Sequence, residues 1–172
     1  MRLAGDEWSR LLLGFDRSAF RLELHPVYSM AGEEEDYARF AAGEKAPPDL
    51  HYEWLDQVAE RVRSGKVMQR VHVVRRPLSD YLRFEFEWGY AFNVRAGEDI
   101  RILDLTERPD PGLPGHDFWM FDDSTVVRML YREDGTQIER DRVEAADLDA
   151  YRRYRDIALA DAVPFQEYWP AA

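Results

Sequence analysis

Imidazole is the only ordinary side chain that titrates near neutrality, so a search for proton transfer or nucleophilic attack begins with His25, His51, His72 and His116. None of them pairs with another at a metal-ligand spacing. The chain also lacks an HExxH helix, a glycine-rich phosphate loop and a GxSxG nucleophile elbow. With no cysteine, thiol nucleophiles and thiolate metal sites are excluded. Lysine chemistry is confined to Lys45 and Lys66, both in turn-like stretches. Carboxylate pairs occur at Glu85/Glu87, Glu98/Asp99 and Asp122/Asp123, but in a chain with 34 acids such pairs do not mark a two-carboxylate hydrolase. Neither a metal nor another cofactor is expected. The one alternative catalytic set is His116 with Asp123, in the segment GHDFWMFDD. His25 precedes Pro26 and reads as structural, His51 as exposed in a first helical turn, and His72 as a satisfied strand histidine.

The charge pattern carries a second signal. Net charge is −11, which opposes general binding to phosphate backbones. Yet Arg61, Arg63, Lys66, Arg70, Arg75 and Arg76 fall in one stretch that contains no acid. Arg61 and Arg63 near a helix C-terminus have a structural reason, the helix dipole. The functional reading is a docking region for an acidic partner or an anionic ligand. Alternation along the strand puts Arg70 and His72 on one face, so a central strand would bury Arg70 and require an acid for it. Glu85 is the candidate.

The elements that position these residues follow from periodicity. Trp8, Leu11, Leu12 and Phe15 make one face of a helix over Asp6–Phe15. Phe20, Leu22 and Leu24 alternate with Arg21 and Glu23 as a half-buried strand. Helices are expected over Glu33–Ala42 and Asp49–Ser64, each closed by glycine. Val67–Val74 reads as a central strand. The segment Asp80–Ala96 alternates apolar residues with period two. It is nonetheless too long for a strand and carries a Ser79 cap and a Gly97 stop, so a helix is expected, with Phe84, Trp88 and Phe92 inward and Phe86 and Tyr90 more exposed or contacting the N-terminal elements. Ile100–Leu105 is a strand, Asp117–Asp122 and Thr125–Arg132 a hairpin, Thr136–Arg142 a further strand, and Asp147–Ala162 a closing helix. The whole is an α+β fold, a mixed β-sheet with helices packed on it. Residues 1–172 make a single domain, with 1–65 a mainly helical N-terminal extension and 66–172 the sheet-and-helix part. No secretory signal and no membrane span can be read, so a cytoplasmic location is expected.

Two resemblances bear on function. The spacing of His116, Phe118 and Asp123 is similar to the H-x-K-x-x-x-x-D motif of the phospholipase D superfamily, with Phe118 in place of the phosphate-binding lysine; this implies a degenerate phospholipase D-like half. Segments including LSDYLRFE, AGEDIRIL and DFWMFDD resemble a family of uncharacterised actinobacterial proteins encoded beside helix-turn-helix regulators. From about Trp54 to Val163 the chain is also similar to the C-terminal effector domain of those regulators, without their DNA-binding helices. The resemblance implies a non-enzymatic regulatory or interaction protein, acting with such a regulator or sensing a small ligand. The alternative is a phosphodiesterase-like hydrolase using His116. The partner classes left open are a DNA-binding regulator and a second copy of the chain as a homodimer, with neither direct nucleic-acid binding nor a membrane expected.

Overall fold

A computed structural model describes residues 1–170. Seven strands form one sheet in the order β6-β5-β4-β1-β2-β3-β7. Strands β1 (Ser18–Glu23), β2 (Val67–Val74) and β3 (Asp99–Asp104) run parallel. Strands β4 (Asp117–Phe121), β5 (Thr125–Tyr131) and β6 (Gln137–Arg142) follow as antiparallel hairpins on the other side of β1, and β7 (Val163–Pro164) closes the far edge. Both parallel crossovers step in the same direction, so the right-handed rule places their helices on the same face. These are α2 (Glu34–Ala41) and α3 (Glu53–Arg63) in the first crossover, and α4 (Asp80–Glu85) with α5 (Ala91–Ala96) in the second. Helix α1 (Gly5–Gly14) packs on that face too, through Trp8, Leu11 and Leu12 against Trp119 and Phe121. The opposite face is covered by α6 (Leu148–Ala160), whose Tyr151 and Ala158 meet Phe20, Leu22, Val71, Phe118 and Met120. Among the described residues no helix is long and apolar enough to cross a membrane.

The α+β architecture and most elements match the reading from sequence. What the alternation did not reveal is the place of β1, which is the centre of the sheet. Arg21 and Glu23 are therefore not on a solvated face: both lie under the helical layer, and Glu23 has no exposure. Residues 1–65 thus contribute the middle of the sheet as well as helices. The N-cap of helix α3 falls three residues later than expected, at Tyr52 rather than Asp49, so His51 precedes the helix and contacts Asp56 at 3.0 Å.

The stretch 80–96 is helical, as its caps demand. Ser79 Oγ accepts from the Leu82 amide at 3.1 Å, and Gly97 ends the run with φ of 112°. The run is not uniform, because Phe86–Tyr90 form a π-helical turn between α4 and α5. The expected inward face needs correcting for the same reason. The wider turn rotates Phe86 and Tyr90 onto the sheet, against Val74, Ile100, Ile102 and Phe165, and they are among the least exposed side chains. Phe84 and Trp88 are buried too, but Phe84 packs outward against Tyr37 and Phe40 of α2.

Candidate functional site

Strands β1 and β2 end side by side, and β4 begins where β1 stops. In open sheets this is where ligand sites concentrate, at the carboxyl ends of parallel strands beside a change in strand order. Register pairs Arg21 with Arg70 and Glu23 with His72, so all four side chains point from the sheet into the layer beneath α4 and α5. Helix α4 adds Glu85, the π turn adds Tyr90, α5 adds Asn93, the following loop adds Glu98, β4 adds Asp117, and the segment after β1 adds Tyr28. A polar layer replaces the apolar core at this point, and it persists because its members bond one another.

Arg70 organises one half. Its Nη1 donates to Glu23 Oε1 at 2.5 Å and its Nε to Glu98 Oε1 at 2.8 Å. Glu98 Oε2 accepts from Asn93 at 2.9 Å, and Asn93 in turn accepts from the Tyr52 hydroxyl. Arg21 Nε lies 3.3 Å from the same Glu23 oxygen. Burial pushes the Glu23 carboxyl up, but Arg21, Arg70 and the Tyr90 hydroxyl outweigh it, and the group is held down to about 2. Glu85 goes the other way. Burial and the neighbouring Glu23 charge raise its carboxyl well above the usual range, with Arg70 opposing less strongly. One ionised and one protonated carboxyl is the expected outcome for two acids in one buried site.

The other half centres on His72 and Asp117. His72 Nε2 lies 2.9 Å from the His25 carbonyl, which can only accept, so Nε2 carries the hydrogen and Nδ1 presents its lone pair. Nδ1 faces the Tyr90 hydroxyl at 2.8 Å, with Glu23 Oε2 at 3.4 Å and Glu85 Oε2 at 3.5 Å. Burial lowers the His72 pKa and keeps the ring neutral. Asp117 accepts from Tyr28 Oη at 2.5 Å and from the Leu24 amide at 2.9 Å. Burial pushes its carboxyl up to about 7 despite Arg21 and the Tyr28 hydrogen bond.

A cavity of about 480 Å³ opens beside this layer. Tyr28, Tyr37 and Tyr81 line it together with Glu33, Glu34, Asp80 and Asp134, and none of the lining residues is basic. Tyr81 donates to Glu33 Oε2 at 3.0 Å, and burial raises the Glu33 carboxyl despite that bond. Tyr28 joins cavity and polar layer, since its ring packs edge-on against His72.

Most residues singled out from sequence lie elsewhere or are already engaged. Arg61, expected on the surface, is buried and bonded to the Gln57 and Leu13 carbonyls. Arg63 is exposed, and Lys66 donates to the Phe15 carbonyl. Arg75 is held on the Leu105 and Arg108 carbonyls and Arg76 on Tyr168 and Asp104. Because β2 separates them, the basic residues do not form one continuous surface. Arg70 does have a buried acid, but its partners are Glu23 and Glu98. Glu85 instead reaches the His72 side of the layer. Arg70, His72 and Glu85 are thus the candidates that converge. Glu23, Tyr28, Tyr90, Glu98 and Asp117 were not anticipated.

His116 and Asp123 do not converge. They sit at opposite ends of β4, whose five residues span about 17 Å at ~3.4 Å per residue, and Asp123 lies in the turn beyond it. Asp123 pairs with Arg155, and Phe118, at the lysine position, is fully buried against α6. His116 Nε2 contacts Tyr151 Oη at 2.9 Å, and burial and Arg128 lower its pKa. Arg128 stands opposite Phe118 on β5, with its guanidinium 3.0 Å from Asp141. Among the described residues, donor atoms of Glu23, His72 and Glu85 lie within 4.8 Å of one another, a convergence of three elements that spacing along the chain cannot show.

Comparison with known proteins agrees with this architecture. The solved structure of Nuc from Salmonella typhimurium, a phospholipase D family member, is similar in fold, with a TM-score of 0.51 over 90% of this chain and 85% of that one. Identity is 9%, so the likeness is one of fold alone. No curated protein matches the chain. Residues 6–170 match the family described as a domain of unknown function, DUF6879, and the chain belongs to that family.

Proposed function

We propose that this protein is a non-enzymatic regulatory module that senses a small organic cation and relays its binding to a protein partner, a DNA-binding regulator being the expected class. The observation that carries the reading is the cavity between the β1–α2 segment and α4: three tyrosines and four acids line it, with no basic side chain. Aromatic faces and carboxylates together suit an ammonium group, through cation–π attraction and direct charge pairing. The polar layer behind the cavity supports a binding role. Its strongest groups are spent on one another, with Arg70 clamped by Glu23 and Glu98, and Tyr28 on Asp117.

Arg128 beside the lysine position favours a second reading, a phosphodiesterase centred on His116. Its guanidinium is paired with Asp141, and His116 is turned onto Tyr151, so neither is directed at a shared reacting atom.

Calorimetric titration with choline and with putrescine tests the proposal. One-to-one binding is expected, weakened by salt and weakened at least fivefold by Glu33→Gln, while Glu139→Gln on β6 leaves it unchanged. Equal binding by both variants, or none by the wild type, contradicts the cationic-ligand reading.

A further inference from the structure

Beneath the cavity, the geometry points to a binding site for one first-row divalent transition-metal ion, formed by Glu23 Oε2, His72 Nδ1 and Glu85 Oε2. The site is separate from the organic-cation cavity and does not depend on that cavity being occupied.

Four features support it. The first is spacing. Donors about 2.1 Å from a tetrahedral metal lie about 3.4 Å from one another, and His72 Nδ1 is 3.4 Å from Glu23 Oε2 and 3.5 Å from Glu85 Oε2. Tyr90 Oη, at 2.8 Å from Nδ1 and 3.1 Å from Glu23 Oε2, is within hydrogen-bond reach of both donors, and its hydrogen would turn from Nδ1 when an ion takes that lone pair.

The second feature is the histidine. A metal-binding imidazole usually fixes its tautomer by donating its other N–H to a carbonyl or carboxylate. His72 does this through Nε2 to the His25 carbonyl, which leaves Nδ1 as the ligand nitrogen.

The third is an unfilled donor. Glu85 Oε2 is buried and has no hydrogen-bond partner, although it points at Nδ1. A buried carboxyl oxygen without a partner is costly, and a metal ion would remove that cost. Glu23 is divided in a complementary way. Its Oε1 is occupied by Arg70 and Arg21, so Oε2 is turned away from the guanidiniums toward His72.

The fourth is charge. Within the layer two guanidiniums, Arg21 and Arg70, face four carboxyls, Glu23, Glu85, Glu98 and Asp117. A divalent ion supplies the two positive charges that balance all four as carboxylates. One imidazole with oxygen donors suits Zn²⁺ or Mn²⁺ rather than a thiolate-seeking metal.

Zn²⁺ and Mn²⁺ serve as probes, titrated calorimetrically into the chelator-treated full chain. The site predicts one ion per chain and at least a tenfold loss of Zn²⁺ affinity in Glu85→Gln, with the far-ultraviolet circular dichroism spectrum unchanged. Nitrogen-15 NMR of the wild-type imidazoles gives a readout that needs no variant. Saturating Zn²⁺ must shift His72 Nδ1 and leave His51 and His116 unmoved. Absence of stoichiometric binding, equal affinity in Glu85→Gln, or an unmoved His72 resonance overturns the site. Choline and putrescine titrations read the cavity separately, so failure of either proposal leaves the other standing.

Discussion

Arg70 shows how much one side chain can organise when it is buried among acids. Its guanidinium holds Glu23 on one side and Glu98 on the other with almost no exposure to water. Arg70→Met would leave two buried carboxylates facing a vacated position, and removing one partner of such a set costs about 3–5 kcal/mol. A urea denaturation midpoint lowered to match, and partly recovered by adding Glu98→Gln, is the expected result. At the opposite end of β1, Asp122 accepts from the backbone amides of Asp16, Arg17 and Ser18 at 2.6–2.9 Å. Slight burial raises its carboxyl, but those amides and Arg17 outweigh it and hold the pKa below the ordinary value. Because the folded pKa is depressed, this stabilisation is present above the unfolded-state value and fades as pH falls through the folded one. Asp122→Asn should therefore lower the melting temperature at neutral pH and narrow toward no difference in acid. A constant difference at all pH values would assign the effect to lost packing. That Arg70 needs a buried acid was legible in the sequence, because alternation along a central strand dictates it. The identity of the acid was not, since alternation with Leu22 and Leu24 is the pattern of a solvent-facing Glu23 on a half-buried strand. The missed signal was the coincidence of Arg21 and Glu23 on one strand with Arg70 and His72 on another, four polar residues that share a face once the strands lie together.

Elements were more legible than side-chain directions. The stretch 80–96 has the period of a strand and the ends of a helix, and its ends decided the outcome. Period-two spacing of seven apolar residues cannot fit one face of a regular α-helix, and the chain resolves this by burying both sides, the sheet on one and α2 on the other. The π turn at Phe86–Tyr90 accompanies that arrangement and brings Tyr90 onto His72, a placement that caps and periodicity do not encode. Two substitutions test the ends. Ser79→Ala removes an oxygen that accepts from Leu82 and donates to the Pro26 carbonyl, and should cost about 1 kcal/mol in chemical denaturation. Gly97→Ala meets two obstacles, a φ of 112° and a new Cβ only 2.8 Å from Val62 Cγ1. The left-handed backbone alone carries a penalty of about 1–2 kcal/mol, so Gly97→Ala should exceed Ser79→Ala in cost. The reverse order would mean that α3 and the loop after α5 yield to the extra methyl group.

At the scale of the molecule, the chain combines a fold similar to that of a phospholipase D family member with a buried polar layer. The α+β architecture followed from the order of strands and helices, and the hairpins from their turn residues. The centrality of β1 did not follow, because strand order is set by long-range pairing that local pattern does not record. The consequence is functional. The convergence of side chains lies at the carboxyl ends of β1 and β2, while His116, the residue of the motif-like segment, is occupied on the opposite face by Tyr151. Ligand recognition is therefore proposed between Tyr28, Tyr37 and Tyr81, and not at His116. Amide chemical-shift mapping on the nitrogen-15-labelled chain, titrated in parallel with choline and with a dinucleotide phosphodiester, decides between the two faces. Choline is expected to induce shifts centred on residues 27–37, Ser79–Tyr81 and Asp134, with the phosphodiester leaving the spectrum unchanged. Shifts centred on His116, Arg128 and Tyr151 upon adding the phosphodiester would contradict that proposal.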